Sequence, residues 1–400
     1  MEWDRGAGRI LLFPFALLSF FYLLLVRGRL LLYSIGFLKR RRLACRVISI
    51  GNLTVGGTGK TPLVCAVARL LSERGERVVI IGRGYSGKGR NKVTVVSEGG
   101  MPLVTWEEVG EEAYWLACRC QGIPVLVGRN RSRVGEVALT EYRATVILLD
   151  DGFQHIRLHR DVDLLLLDCT APFGKGYLLP RGYLREPLSQ IERATAVVLT
   201  RVDQAVNLER TLRRIQTWLD HKRLFHVTFR PVGFVALGDC RECGLEMVKG
   251  KKLLAVSGIG NPRSFQRHLQ ALDAGEILER VYPDHHHYGY RDLEEIIQVA
   301  DGVDYIITTE KDGVKLAPLL KKGLAGDTWG PVRPPVESGR LTDSAALVHG
   351  APYSSHHEPS DAPSPRARPS KAGASLWWAL RVEAQVREKE EWLAYLMGEV

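Results

Sequence analysis

The most specific chemical signal is a glycine-rich run that ends in a lysine and a threonine. Val47-Ile48-Ser49-Ile50 leads into Gly51-Asn52-Leu53-Thr54-Val55-Gly56-Gly57-Thr58-Gly59-Lys60-Thr61. Glycines let backbone N–H groups approach phosphate oxygens with no Cβ in the way. A helix that starts at the end of the run adds the positive end of its dipole. Lys60 supplies a charge for the β- and γ-phosphates of a nucleoside triphosphate, and the Thr61 hydroxyl suits Mg²⁺. Pro62 is tolerated in a first helical turn, where its missing N–H has no partner to lose. The run departs from the strict G-x-x-x-x-G-K-[ST] pattern, because position 54 is Thr. Glycines at 51, 56, 57 and 59 compensate. The nucleotide-binding residues expected are therefore Thr54, Val55, Gly56, Gly57, Thr58, Gly59, Lys60 and Thr61.

A second signal is acidic. The apolar run Val146-Ile147-Leu148-Leu149 ends in Asp150-Asp151-Gly152-Phe153-Gln154-His155. Carboxylates at the C-terminal end of a buried strand lie where ligands bind in open α/β sheets. Asp150 and Asp151 are accordingly the expected Mg²⁺ carboxylates, with Thr61 as a further ligand. Gln154 and His155 line the same region by adjacency. Arg83 and Tyr85 follow another strand end, a place that suits contacts to phosphates or substrate and equally suits an ordinary turn. Thr200-Arg201-Val202-Asp203 is either a base-reading element or a plain loop after a strand. Glu111 and Glu112 read, on their own, as an acidic first turn of a helix favoured by its dipole. His285, His286 and His287 cannot all face one ion in regular structure. Cys240-x-x-Cys243 lacks a second pair, so neither group makes a zinc site.

These residues need a scaffold. Short β-branched runs (Val47 to Ile50, Val78 to Ile81, Val93 to Val96, Val125 to Val127, Val146 to Leu149, Leu164 to Leu167, Ala196 to Leu199) alternate with helical stretches such as Leu63 to Arg74 and Glu111 to Cys120. That alternation predicts a largely parallel α/β sheet of the P-loop NTPase-like kind. Leu224 to Phe229, Leu253 to Val256 and Tyr305 to Thr308, with helices near Ser264 to Ala271 and Leu293 to Ala300, predict a second, smaller α/β domain. The expected divisions are 1–45 as an N-terminal membrane-associated segment, 46–230 as the phosphate-loop domain, and 231–322 as the smaller domain. Residues 323–375, rich in Pro, Ser, Gly and Ala, are expected to be a disordered insert. A final strand (Trp377 to Glu383) and helix (Val386 to Met397) complete the smaller domain over 376–400.

Ile10 to Val26 reads ILLFPFALLSFFYLLLV. As a helix it would be roughly 25 Å long, slightly short of the ~30 Å hydrocarbon core. Arg27 and Arg29 follow, then another apolar stretch to Leu38, and Lys39-Arg40-Arg41-Arg42 closes the segment. A membrane-embedded or membrane-surface helix or hairpin is expected. A buried core helix and a cleaved signal peptide are the competing readings, the latter without an evident small-residue cleavage site. The whole chain has 400 residues, 45% hydrophobic and 25% charged, which excludes a wholly disordered protein. Seven cysteines, an odd number, argue against a secreted disulfide scaffold. The net charge of +10 suits an anionic membrane surface, a phosphorylated substrate or nucleic acid, but no nucleic-acid-binding motif is present.

With Gly51-Asn52-Leu53-Thr54-Val55-Gly56-Gly57-Thr58-Gly59-Lys60-Thr61-Pro62, the stretch Asp150 to Pro187 (DDGFQHIRLHRDVDLLLLDCTAPFGKGYLLPRGYLREP) resembles the tetraacyldisaccharide 4′-kinases, the lipid A 4′-kinases of Gram-negative bacteria. Arg83-Gly84-Tyr85, Gly110-Glu111-Glu112, Tyr282-Pro283-Asp284-His285-His286 and Thr309-Glu310-Lys311-Asp312 match as well. The resemblance covers about residues 10 to 320 and resumes at Trp377. It implies transfer of the ATP γ-phosphate, with Mg²⁺, to the 4′-hydroxyl of a tetraacylated glucosamine disaccharide 1-phosphate, giving lipid IV-A at the cytoplasmic face of the inner membrane. It also implies a catalytic carboxylate at Glu111, where the family usually has Asp, assisted by His285; Glu112 is the alternative base. Arg185 and Glu186, with Arg83, Tyr85, Glu112, Gln154 and His155, are then expected near the substrate. Two other readings stay open: a P-loop enzyme acting on a soluble acceptor, and a non-catalytic nucleotide switch at the membrane.

Overall fold

The computed structural model describes residues 7–84, 93–205, 207–219, 222–324 and 376–399. Tyr85 and nearly all of the expected insert 323–375 lie outside the described residues. An N-terminal helix, α1 (Ala7–Ser34), precedes the sheet. The first half of the chain then runs β1 (Arg46–Asn52), α2 (Lys60–Glu73), β2 (Val78–Gly82), β3 (Thr94–Ser97), α3 (Trp106–Val109), α4 (Glu111–Arg119), β4 (Val125–Val127), α5 (Arg131–Tyr142), β5 (Val146–Asp150), β6 (Val162–Asp168), β7 (Ala196–Thr200) and α6 (Leu208–Leu219). The second half runs β8 (Arg223–Ala236), β9 (Glu242–Cys243), β10 (Leu253–Ser257), α7 (Pro262–Gln270), β11 (Ile277–Val281), α8 (Tyr290–Val299), β12 (Tyr305–Thr309), α9 (Glu310–Leu324), β13 (Trp377–Val386) and α10 (Lys389–Met397).

All strands join one sheet in the order β11-β10-β12-β13-β8-β7-β6-β1-β5-β2-β4-β3, with β9 paired to β8. The pairs from β8 through β7, β6, β1, β5, β2 to β4 are parallel, as are those from β11 through β10 and β12 to β13. The two parallel blocks are joined by the antiparallel β8–β13 ladder. The largely parallel α/β class therefore holds. Strands in such a sheet are covered on both faces, which is why β5, β6 and β7 each carry a continuous apolar run and are buried at every position. The buried stripe Leu63, Val64, Val67, Ala68 and Leu71 lays α2 against the sheet at helical spacing. β1 lies between β5 and β6, so the chain leaves β1 where the strand order reverses and a crevice opens at the carboxyl ends.

The helix α1 continues through Arg27 and Arg29 rather than ending at Val26, and Pro14 sits inside it. Its segment Pro14–Ser34 has a mean hydropathy of 1.8 and is long and apolar enough to cross a membrane. Phe15, Leu17, Leu18, Phe20, Phe21, Leu24 and Leu25 are exposed, which is not the pattern of a buried core helix. Polar groups fasten α1 to the body: Ser19 Oγ donates to the Leu178 carbonyl at 3.0 Å, Tyr22 Oη to that of Arg185 at 2.8 Å, and Arg29 to that of Gln154 at 2.7 Å. At the other end of the chain the final helix begins at Lys389, not Val386. Residues up to Val386 extend β13, where Val386 pairs with Val227.

Candidate active site

The phosphate loop is held from three sides. Asn52, the last residue of β1, donates through Nδ2 to Thr58 Oγ1 at 3.1 Å and accepts from Lys60 Nζ at 3.3 Å. Thr200 Oγ1, at the end of β7, donates to the Thr58 carbonyl at 3.0 Å. The Val55 N–H donates to the Tyr183 carbonyl at 2.8 Å, and Thr54 bridges Leu184. Gly59 caps α2 in the left-handed region (φ +85°), with the Phe229 ring directly beneath it. Thr54 is thus tied to a neighbouring loop, and the residues from Val55 to Thr61 line a cleft of about 280 Å³. The opposite wall comes from Gly260, Asn261, Ser264 and His268, and one end from Asp284, His285 and Lys311.

Asp150 and Asp151 close β5 beneath this loop and differ electrically. Asp151 (φ +50°) takes Arg185 Nη1 at 2.9 and 2.8 Å and lies 3.6 Å from Lys60 Nζ. Burial raises its carboxyl, but Lys60 and Arg185 more than offset this and hold it at about 2. Asp150 is 5% exposed, and its Oδ1 is buried without a hydrogen-bond partner. Burial, then the charges of Glu112 and Asp151, push its carboxyl up to about 7. A buried oxygen without a donor, beside a phosphate loop, is the electrostatic setting a divalent cation satisfies. Asp150 and Thr61 therefore fit Mg²⁺ better than Asp151, which already has two cations. Among the described residues no cluster of three or more His, Cys, Asp or Glu is arranged to hold a metal.

Arg131, which the sequence did not single out, fixes the Asp150–Asp151 turn. Its guanidinium is buried at the start of α5 and donates to the Asp150 carbonyl at 2.8 Å and the Asp151 carbonyl at 2.9 Å. Arg185 belongs with this group. Gln154 is one layer behind, donating to the Asn52 carbonyl at 2.9 Å and accepting from Arg185 at 3.4 Å. Glu186 is buried against Arg193 at 2.7 Å. His155 is partly buried among arginines, and Arg83 is exposed at the end of β2. None of Arg83, Gln154, His155 and Glu186 is among the described residues that line the cleft. Arg201 does line it, ion-paired with Asp168.

Glu111 and His285 come together at the far end of the cleft, where His285 lines the wall and Glu111 sits behind it. Glu111 opens α4 and is ion-paired with His285 Nδ1, with Lys311 Nζ at 3.0 Å and with Lys315 Nζ at 2.8 Å. Burial raises the Glu111 carboxyl, but the bond from His285 and the two lysines override it, leaving the group well below the usual carboxylate range. The same bond to Glu111 raises His285 against its burial. His285 sits at φ +61°, on a turn whose Gly260 neighbour touches the phosphate loop: a Cβ on Gly260 would lie 2.6 Å from the Gly57 nitrogen. Glu112 points into the cleft and lies 3.7 Å from Lys311. His286 pairs with Asp292 at 3.2 Å and stacks on Tyr282, and His287 packs on Trp106, so only one of the three histidines faces the site.

A parallel sheet with a glycine loop at its reversal point, a lysine in that loop, paired aspartates below it and an ion-paired carboxylate across the cleft define a P-loop phosphotransferase. The model of the family "LpxK: Tetraacyldisaccharide-1-P 4′-kinase" matches residues 9–346. Proteins named tetraacyldisaccharide 4′-kinase are similar in sequence. The one from Halothermothrix orenii is 39% identical over 77% of this chain and 84% of its own length. That from Syntrophus aciditrophicus is 40% identical over 78% and 87%, and that from Anaeromyxobacter sp. strain Fw109-5 is 43% identical over 72% and 78%. The crystal structure of Aquifex aeolicus LpxK in complex with ATP superposes with a TM-score of 0.67 and 28% identity, covering 98% of both chains. The chain belongs to the tetraacyldisaccharide-1-P 4′-kinase family.

Proposed function

We propose that this chain transfers the γ-phosphoryl group of ATP to the 4′-hydroxyl of a tetraacylated glucosamine disaccharide 1-phosphate, forming lipid IV-A at the cytoplasmic face of the inner membrane. The observation that carries the reading is one cleft lined by the phosphate loop, Asp151 and His285, with Asp150 next to the first carboxylate and Glu111 ion-paired to the histidine. Backbone N–H groups of Gly56, Gly57 and Gly59 and the Lys60 ammonium cradle the triphosphate. Thr61 and Asp150 would hold Mg²⁺, which would supply neutralisation of the phosphate charge. Arg185, fixed by Asp151 on one side and by the loop that α1 grips on the other, faces the same charge.

The acceptor hydroxyl donates to Glu111. A carboxylate held this far below its usual range is a poor base toward a free alcohol, but phosphoryl transfer passes through a loose transition state. The proton leaves late, once the sugar oxygen has begun to bond phosphorus and the hydroxyl has become acidic. The new bond is 4′-O to Pγ and the broken bond is Pγ to the β-bridging oxygen. The electron pair leaves with ADP and the proton passes to Glu111. His285 orients the carboxylate. The exposed apolar face of α1 keeps the enzyme at the bilayer that holds the acyl chains, and Lys39, Arg40, Arg41 and Arg42 meet anionic headgroups.

The test is mass spectrometry of lipids after incubation with ATP, Mg²⁺ and the tetraacyl disaccharide. A product heavier by one phosphoryl group, lost in Glu111→Ala, is expected. Phosphorylation of soluble acceptors instead, or ATP hydrolysis with no lipid product, would overturn it.

A further inference from the structure

Lys315 is a deeply buried cation near the cleft. It lies on α9, one helical turn after Lys311, and its side chain is 1% exposed. Its ammonium touches two carboxylates, Glu111 Oε2 at 2.8 Å and Asp312 Oδ1 at 3.1 Å, and lies 5.3 Å from the Tyr288 ring. Asp312 is wholly buried and is itself fixed: its Oδ2 accepts from the Gly258 N–H at 2.9 Å and the Thr309 hydroxyl at 2.8 Å. Gly258 follows β10 and Thr309 closes β12. The ammonium is therefore referenced to two strands of the second half of the sheet, while Glu111 belongs to α4 in the first half.

The two oxygens of Glu111 have different surroundings. Oε2 meets Lys315 on the interior side, and Oε1 meets His285 and Lys311, both of which line the cleft. Neither Glu111 nor Lys315 is among the described cleft-lining residues, but Glu111 Oε1 adjoins the lining through His285 and Lys311, whereas Lys315 touches only Oε2 and the buried Asp312, one step further from a nucleotide or an acceptor. A glutamate has three side-chain torsions, and a charge buried with two partners is costly to keep unless geometry is the return. A methionine would fill the same space with no desolvation cost.

We propose that Lys315 is a positioning residue for phosphoryl transfer: it pins Glu111 by Oε2, so that Oε1 is presented to the acceptor hydroxyl at the cleft. The other charged groups facing Glu111 are Lys311 and Asp312 on α9, His285 and Asp284 on the turn after β11, and Glu112 on its own helix. Lys311 and His285 share Oε1 and exchange it with the acceptor, whereas Lys315 stays on Oε2 throughout. The inference rests on the role proposed for Glu111.

The test is a double-mutant cycle with Lys315→Met and Glu111→Gln in the full-length enzyme, reading kcat, KM for ATP and KM for the lipid acceptor. Lys315→Met leaves Asp312 with no cation, so Lys315→Met with Asp312→Asn is made in parallel as a variant carrying no lone buried charge. Lys315→Met is expected to lower kcat by about 10- to 100-fold, the scale of a misplaced reactive group. KM for ATP should stay within about twofold of wild type. In the Glu111→Gln background the same change should lower kcat no further, because Lys315 acts through that carboxylate. An unchanged kcat in the two Lys315 variants, or a loss that multiplies with Glu111→Gln, overturns the positioning role. A Glu111→Gln enzyme with near-normal kcat overturns the Glu111 reading itself, and the two failures are told apart by that single variant.

Discussion

Gly59→Ala should damage the phosphate loop through two separate terms. Gly59 sits at φ +85° and ψ 22°, a left-handed conformation that costs a residue with a Cβ about 1–2 kcal/mol. A Cβ there would also lie 2.1 Å from Cζ, 2.6 Å from Cε2 and 3.0 Å from Cε1 of Phe229. Phe229 cannot simply swing aside. It is buried in β8, in register with Ala384 of β13. Overpacking of this kind typically costs about 1–3 kcal/mol. The sum is about 2–5 kcal/mol, taken either from global stability or, if the loop lifts off the ring, from ATP affinity, where every 1.4 kcal/mol is about tenfold. Urea unfolding and calorimetric ATP titration of Gly59→Ala measure both. The two terms separate in a Phe229→Leu background, where the ring is gone but the backbone angle is not: there the added cost of Gly59→Ala should shrink to about 1–2 kcal/mol. Wild-type stability and affinity in Gly59→Ala would refute the argument, and an equal penalty in both backgrounds would refute the ring contact as its cause.

Lys60→Met should lower phosphoryl transfer by about 10²- to 10³-fold, the usual scale for losing one donor to a developing charge, with little change in melting because Asp151 keeps Arg185; transfer of labelled phosphate to the lipid checks it. His155 gives a pH dependence. Burial and the charges of Arg131 and Arg160 push it down to about 3 against an ordinary 6.5. A group lowered this way adds nothing above pH 6.5, and its cost grows as pH falls toward 3, reaching about 2 kcal/mol at pH 5. The difference in unfolding free energy between pH 7 and pH 5 should therefore shrink by about that amount in His155→Gln, and an unchanged difference would contradict it. Removal of residues 1–40 should cut turnover of membrane-presented lipid more than that of detergent-dispersed lipid. Tyr22→Phe, which frees the Arg185 carbonyl from α1, should reproduce only the smaller loss seen in detergent.

What the sequence revealed and what it hid follow from the range of the interactions. The phosphate loop was legible because its glycines, lysine and threonine act within one turn of chain. The Asp150–Asp151 pair was legible because a buried apolar strand announces where it ends. The helix α5 was not legible, since its charged residues and Gly135 leave a weak apolar stripe. Gly135 is there for close packing: a Cβ would lie 2.3 Å from Leu43 Cδ1. β8 was expected only over Leu224 to Phe229, because Pro231 and Gly233 argue against a strand. It nonetheless continues to Ala236 by changing partners. It runs parallel to β7 up to Val227, then antiparallel to β13, with a register shift at Arg381 and Val382 absorbing Pro231.

The same limit governs the site. Gly110-Glu111-Glu112 and Thr309-Glu310-Lys311-Asp312 stand about two hundred residues apart in the sequence. Nothing in either predicts that Lys311 and Lys315 flank one carboxylate. Their spacing of four does place both lysines on one face of a helix, but a pair of lysines at that spacing is far more often solvated than buried. Only the sheet brings α9 beside α4. Arg131 is hidden for a related reason. It works through backbone carbonyls, which every residue has, so its partners leave no trace in side-chain chemistry. Groups proposed to touch the nucleotide are therefore readable from local pattern, whereas the groups that hold them in place become visible only once distant elements are packed together.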